Sequence, residues 1–401
     1  MADLLPECLV QKILCFLTYK QSSKMSIVSK TWLEAWSTLP NLELYLYRGK
    51  SNIKIIDTIM ERYRDGKIPI KKLRLSESII YERCRVSPPI PIDNCLDIAL
   101  QSGLQHLVLN SISYPLPIST ILTAKSLRKL VIMDCTLSLA NGVVNQNSLT
   151  ELSIGHVELD KNIFETLLNS CPLIETFTFE GCNRFDVFYL RKIKSVNLKV
   201  LKIEAGAAMW EIDAPNLVSF EYKGLKIPEF KTARQLEKSK ILFYRSDYRY
   251  GDWFGKLRKF LLKSTGSCWS QVTIRSRKCN EIEMEQHNRV GAIALVDVLE
   301  VEVVFQDMDC SSFVNALLWS CRPKRLNLQP RLTLFTAFSD RLMYMKNTTM
   351  HSRLKQVQAF DENNQLLQLG SEQLTESVLP SWGSKRRNWV ERAYFILDWC
   401  T

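Results

Sequence analysis

What this 401-residue chain lacks narrows its possibilities first. Nowhere does it hold the roughly 18 uncharged apolar residues that a membrane-crossing helix needs. Its most apolar run, Ile293 to Phe305, is interrupted by Asp297, Glu300 and Glu302. Glycine and proline are scarce, at 14 residues each, which argues against long linkers and low-complexity tracts. Asp3 and Glu7 stand where a secretory signal would carry basic residues. The 12 cysteines include no C-x-x-C pair, so neither a zinc cluster nor a dithiol motif is signalled. There are only four histidines (His106, His156, His287 and His351), and no H-E-x-x-H or G-x-S-x-G motif. The run from Gly251 to Lys256 falls short of a phosphate loop by one spacer residue, and Leu257 replaces its Ser/Thr. These absences set the expectation of a soluble, intracellular, non-enzymatic protein of the cytoplasm and/or nucleus. They also imply mostly buried free thiols, no catalytic residues, no metal or other cofactor, and no membrane partner.

What is present is enough to fold. Apolar residues make up 46% and charged residues 24%, ordinary values for a chain with a packed core. At about 150 residues per domain, the length fits two or three domains or one elongated repeat structure. The first forty residues carry two short helical patterns. One begins at Pro6, which suits the start of a helix, and continues through Leu9, Ile13, Phe16 and Leu17. The other runs through Met25, Val28, Trp32 and Trp36 and stops at Pro40. So short a segment buries little surface alone and needs something to pack against.

The residues Leu5-Pro6-x-x-Leu9-x-x-x-Ile13-Leu14-x-Phe16-Leu17, then Lys24 to Trp36 with Val28-Ser29-Lys30-Thr31-Trp32, then Leu39-Pro40-Asn41-Leu42, resemble an F-box of the plant F-box/LRR type. The resemblance covers residues 3–45 without gaps. One departure, Gln21-Ser22-Ser23 in place of an acidic-Ala-Val segment, is expected to matter little: it bears on helix packing but leaves the adaptor-facing positions in place. The resemblance implies docking on a Skp-type adaptor and, through it, a cullin. Leu5, Pro6, Leu9, Ile13, Leu14, Leu17, Lys24, Ser29 and Lys30 would form the adaptor-binding set, with Trp32 and Trp36 holding the module together.

Beyond Pro40 the pattern apolar-x-x-apolar-x-apolar recurs. It reads Ile70/Leu73/Leu75, Leu104/Leu107/Leu109, Leu127/Leu130/Ile132, Leu149/Leu152/Ile154, Ile174/Phe177/Phe179, Leu198/Leu201/Ile203 and Leu217/Phe220/Tyr222. Successive starts lie 34, 23, 22, 25, 24 and 19 residues apart, close to the 20–29 residues of a leucine-rich repeat. The longest gap holds Pro88, Pro89 and Pro91 and reads as a looped insertion. A related unit precedes Leu326/Leu328, and Cys135 and Cys182 occupy the position where such repeats favour Asn or Cys. Two late segments, Arg353 to Phe360 and Tyr394 to Trp399, are similar to the terminal strands of FBD-type tails. The expected fold is α/β: a three-helix F-box (1–45), an irregular leucine-rich-repeat solenoid with a parallel β-sheet and helices or loops on its convex side (46–340), and an FBD-like C-terminal cap (341–401).

Strand alternation sends the residues between the apolar positions to the concave face. The candidate target-binding face is therefore Lys72, Arg74, His106, Lys129, Glu151, Ser153, Thr176, Thr178, Lys202 and Glu221. The implied function is that of a substrate receptor in an SCF-type ubiquitin ligase, holding an unidentified target protein without catalysing its modification. The net charge of +11 has an address. Residues 223–263 hold 12 Lys/Arg against 4 Asp/Glu, which leaves 41 basic against 38 acidic residues elsewhere. Aromatic residues interleave there, including Phe230, Phe243, Tyr248, Tyr250, Trp253, Phe254 and Phe260, a composition that nucleic-acid-binding proteins share. Two readings stand at this point. Either the aromatics are repeat core beneath solvated lysines, or the segment serves a basic scaffold for nucleic acid or an acidic protein. Given the F-box resemblance, an acidic protein is favoured over nucleic acid.

Overall fold

The computed structural model describes residues 5–47, 52–78, 90–138, 146–157, 161–181, 190–204, 206, 209–232, 236–245, 252–264, 269–278, 292–305, 309–329, 332–348, 354–361, 363–367, 369 and 393–400. Cys182, Pro88, Pro89, Tyr248, Tyr250 and Arg353, all singled out above, lie outside the described residues. The chain forms two compact units, Met1–Asn183 and Arg184–Thr401.

The first unit opens with three short helices, α1 (Glu7–Cys15), α2 (Tyr19–Met25) and α3 (Lys30–Ser37). Then come β1 (Asn41–Tyr47), α4 (Ile53–Asp65), β2 (Lys72–Ser78), α5 (Asp93–Gln101), β3 (His106–Asn110), β4 (Leu116–Pro117) and α6 (Ile118–Leu122). β5 (Lys129–Met133), β6 (Leu137–Ser138), β7 (Glu151–Gly155), α7 (Lys161–Ser170) and β8 (Thr176–Glu180) complete it. β1, β2, β3, β5, β7 and β8 pair in that order and all in parallel, while β4 and β6 form a separate parallel pair. The strands run in step: Lys72, His106, Lys129, Glu151 and Thr176 are partners across the sheet. Each apolar triplet points inward, with Leu73, Leu75, Leu107, Leu109, Leu130 and Ile132 wholly buried.

The repeat is also kept by polar and backbone devices. Ser126 Oγ donates to the Leu104 carbonyl, and Ser148 Oγ to the Leu127 carbonyl, each at 2.8 Å. Each serine thus ties its repeat to the previous one. Cys135 Sγ accepts from the Ile112 N–H at 3.4 Å and donates to the Met133 carbonyl at 3.0 Å. β3, β5 and β7 are each followed by a left-handed residue, Ser111, Asp134 and His156, with φ of 57°, 53° and 52°. Their N–H groups donate to Met133, Gly155 and Glu180 on the next strand at 2.7–2.9 Å. Chain reversal is thereby locked to the pairing.

The second unit contains β9 (Leu190–Lys194), β10 (Val200–Glu204), β11 (Met209–Asp213), β12 (Ser219–Gly224), β13 (Glu229–Thr232), β14 (Lys238–Arg245), α8 (Asp252–Ser264), β15 (Trp269–Lys278) and β16 (Ala294–Phe305). It ends with α9 (Ser311–Ser320), β17 (Cys321–Leu328), α10 (Leu332–Asn347), β18 (Leu354–Phe360), β19 (Leu366–Leu367) and β20 (Ala393–Trp399). β10, β12, β14, β15, β16 and β17 are parallel neighbours. β20 then pairs antiparallel with β17 and β18, and β19 with β18. Both late segments expected as strands are strands. A second parallel sheet, β13-β11-β9, was not foreseen. Residue 341, the expected start of the cap, lies inside α10.

Among the described residues of the basic segment, four phenylalanines belong to the core of this unit. Phe230, Phe243, Phe254 and Phe260 are at most 3% exposed. Phe230 stands edge-on to Phe220 with ring centroids 4.9 Å apart, and 5.5 Å from Phe260. α8 turns Phe254, Leu257, Phe260 and Leu261 inward, while Lys256 and Lys259 are exposed. Arg258 is buried against the Trp319 ring, 4.5 Å from its centroid. Of the two readings of this segment, the structure supports repeat core beneath solvated lysines. A helix must bury one face, and here that face takes the large rings.

Candidate functional site: the helical module and the sheet face

The three N-terminal helices are defined by their caps. Pro6 is the N-cap of α1 rather than part of its first turn, and its carbonyl accepts from Leu9 and Val10 N–H. Thr18 and Gln21 form a capping box on α2, with bonds of 3.0 and 3.3 Å, so the unusual Gln21 has a structural role. Ser22 is 1% exposed, and its hydroxyl donates to the Tyr19 carbonyl. The Gln-Ser-Ser departure thus leaves α2 capped. Ser29 is the N-cap of α3.

Val10, Leu14, Trp32, Ala35 and Leu39 form the module's core, and Leu17, Met25 and Trp36 pack against it. The expected structural roles of Trp32 and Trp36 agree with this. Leu14 requires a correction. Expected among the adaptor contacts, it is 1% exposed because it lies four residues from Val10, on the inward face of α1. Leu17 is half-buried against the same core. Leu5, Leu9 and Ile13 remain 40–43% exposed, and Pro6, Lys24 and Lys30 are exposed as well. Phe16, noted only for its spacing, is 92% exposed. Leu9, Ile13 and Phe16, spaced by four and three residues, make one outward stripe. Ile27, Val28 and Leu33 are further exposed apolar residues. Ile27 lies between helices, where no periodicity marks it.

The module is braced internally and against α4. Gln11 Nε2 donates to the Thr38 carbonyl at 2.9 Å, and the buried Tyr63 hydroxyl donates to the Leu39 carbonyl at 2.8 Å. A cavity of about 320 Å³ opens where the helices meet β1 and β2, lined by Leu14, Leu17, Tyr19, Asn41, Lys72 and Arg74 among others.

Eight of the ten expected face residues assemble in the first unit as two adjacent rows: Lys72, His106, Lys129, Glu151 and Thr176, then Arg74, Ser153 and Thr178 with Val108 and Val131 between them. Lys72, Arg74 and His106 are exposed and the others half-buried. Lys202 and Glu221 lie together in the second unit, 3.7 Å apart. Charge on these faces is largely paired across strands. Lys129 lies 2.6 Å from Glu151 and Arg74 3.8 Å from Glu43. Such exposed pairs contribute at most about 1 kcal/mol each. Among the described residues, no three His, Cys, Asp or Glu side chains are grouped to hold a metal, and no helix is long and apolar enough to cross a membrane.

Comparison with known proteins decides what these parts are. Residues 3–44 match the F-box domain family, and residues 59–288 match the At1g61320/AtMIF1, LRR domain family. The chain belongs to the F-box/leucine-rich-repeat family. Its relatives include the Arabidopsis thaliana putative F-box/FBD/LRR-repeat protein At5g44950, 23% identical over 234 residues, covering 55% of this chain and 52% of that protein. The F-box/FBD/LRR-repeat protein At4g00160 of the same plant is 27% identical over 245 residues, covering 56% and 52%. Its F-box/LRR-repeat protein 25 is 26% identical over 205 residues, covering 50% and 74%. The chain spans about half the length of the first of these relatives. The helical module is thus the F-box, and the triplet-bearing strands belong to the leucine-rich repeats.

Proposed function

We propose that this protein is the substrate-recognition subunit of an SCF-type ubiquitin ligase, acting in the cytoplasm and/or nucleus. The F-box docks on a Skp-type adaptor and through it a cullin, while the exposed sheet face holds a target protein. The chain supplies no chemical step; its contribution is to raise the local concentration of target beside the ubiquitin-carrying enzyme. In this reading residues 1–45 are the adaptor module, 46–340 the receptor, and 341–401 an FBD-like cap.

The observation that carries the reading is the outward stripe of Leu5, Leu9, Ile13 and Phe16 on a module whose core is already filled. Exposed apolar side chains at helical spacing are the anchors of helix-in-groove recognition. Lys24 and Lys30, exposed on α2 and α3, add polar contacts, and Ser29 acts by holding α3. Co-expression of the chain with a Skp-type adaptor is the test. The native chain is expected to co-purify as a 1:1 complex, and Leu9→Asp with Ile13→Asp to abolish it. No complex, or one indifferent to both substitutions, removes the proposal.

A further inference from the structure

Resting on the receptor reading above, the uneven charge pairing on the second unit points to the class of target. On its outward face four carboxylates are paired: Glu221 with Lys202, Glu204 with Lys223, Glu302 with Arg275 and Asp297 with Lys324. Glu300 accepts from the Thr273 hydroxyl. Three cations have no carboxylate within ion-pair distance among the described residues. Two of them lie on aromatic rings instead: Lys238 is 5.9 Å from the centroid of Trp269, and the Arg325 guanidinium 4.0 Å from that of Tyr394. Arg325 Nε also donates to Asn327 Oδ1 at 2.9 Å, so its planar head is held by two contacts. The third, Lys240, is exposed.

Their placement follows from register. Lys240, Gln271, Val298 and Arg325 are successive cross-strand partners on β14, β15, β16 and β17. Three steps of about 4.8 Å put the two cations about 14 Å apart across a floor of Gln271 and Val298. An extended peptide advances about 3.4 Å per residue and repeats its facing every second residue. Side chains four residues apart therefore match this span and point the same way.

We infer that this face binds an extended acidic segment of the target protein whose carboxylates, four residues apart, bridge Lys240 and Arg325, with Trp269 as an apolar contact beside them. A carboxylate meets the fixed Arg325 fork in bidentate fashion, whereas Lys240 acts as a point charge. With Lys202, Lys223, Arg275 and Lys324 engaged by carboxylates, the face offers a few separated cations rather than the continuous run a phosphate backbone needs, which favours an acidic peptide over a nucleic acid.

The test uses the full chain and a fluorescein-labelled Gly/Ser decapeptide with two glutamates four residues apart, read by fluorescence anisotropy at low salt. Arg325→Glu with Lys240→Glu should weaken binding at least tenfold. A charge-matched control off this face, Lys226→Glu with Lys259→Glu, should stay within about twofold. Moving the glutamates to adjacent positions should cost several-fold. Equal weakening in the control, indifference to spacing, or tighter binding of a labelled single-stranded decanucleotide would each overturn the inference. Should the double reversal fail to fold, Arg325→Gln and Lys240→Gln keep the test open, and each is expected to weaken binding singly. Adaptor co-purification separates this result from the receptor reading: a reversal variant that keeps the adaptor and loses the peptide confirms both.

Discussion

Leu9 and Leu14 lie on one nine-residue helix, yet their truncation should do different things. Leu14 is 1% exposed and packed with Val10, Trp32 and Ala35. Removing its isobutyl group forfeits the transfer energy of a buried leucine and leaves a cavity, together about 3–5 kcal/mol. A three-helix module with five wholly buried core residues holds little more than that. Leu14→Ala should therefore unfold the module locally, read as loss of amide-exchange protection across α1 to α3. Leu9 is 43% exposed. Leu9→Ala should leave that protection within about 0.5 kcal/mol but weaken adaptor binding by about 1–3 kcal/mol, roughly five- to 150-fold. Calorimetric titration of the adaptor and exchange measured by mass spectrometry separate the two effects. If Leu9→Ala lost protection as completely as Leu14→Ala, or left adaptor affinity unchanged, the division of α1 into an inward and a binding face would be wrong.

Further expectations rest on other parts of the structure. Asp297 accepts from the Ser270 N–H and from Lys324, both at 2.8 Å; burial raises its pKa, but these bonds outweigh it and hold the carboxyl below its ordinary value. Its stabilising effect is then present above the unfolded pKa of about 3.9 and fades as pH falls through the folded value. Urea denaturation should accordingly find Asp297→Asn less stable than the native chain at pH 7, by about 1–2 kcal/mol, with the gap shrinking below about pH 4. At Asp134, a left-handed position, Val should lower stability by about 1–2 kcal/mol and Gly by less than about 0.5 kcal/mol; equal thermal midpoints for the two would contradict the backbone argument. Burial pushes Cys95, Cys171 and Cys321 up to about 12 and Cys135 to about 11. Peptide mapping after iodoacetamide at pH 8 should therefore find the exposed Cys8 and Cys15 alkylated first. Phe230→Ala should cost about 3–5 kcal/mol in a denaturation assay, as a core ring must.

The repeats of the first unit were legible because each triplet puts its apolar residues on one side of a short strand. β14 and β15 escaped that pattern for a physical reason: Ser239 and Ser270, both 0% exposed, take the slot where the triplet has an apolar residue. Ser270 holds its place by bonding Asp297. β16 was hidden in a long apolar run that shows no alternation. β1 was read as the end of the F-box, since Leu39 and Leu42 fit both uses. In the candidate site, helical spacing marks α1 as apolar on two sides but does not say which side a neighbouring helix will cover. That is why Leu14 was placed with Leu9 and Ile13. Unpaired charge was likewise invisible, because it depends on which residues the register makes neighbours across strands.

The in-step register has an evolutionary consequence. In the first unit the inward slots hold buried leucine, isoleucine and phenylalanine, while the neighbouring outward slots on the same strands hold lysine, arginine, histidine, valine, glutamate, serine and threonine. A substitution outward alters a column of the surface without touching the packing one residue away. Variation in what is recognised is thus uncoupled from variation in what folds. A lineage carrying this architecture can duplicate a gene and let the copies diverge on that surface while each keeps the same core and the same F-box.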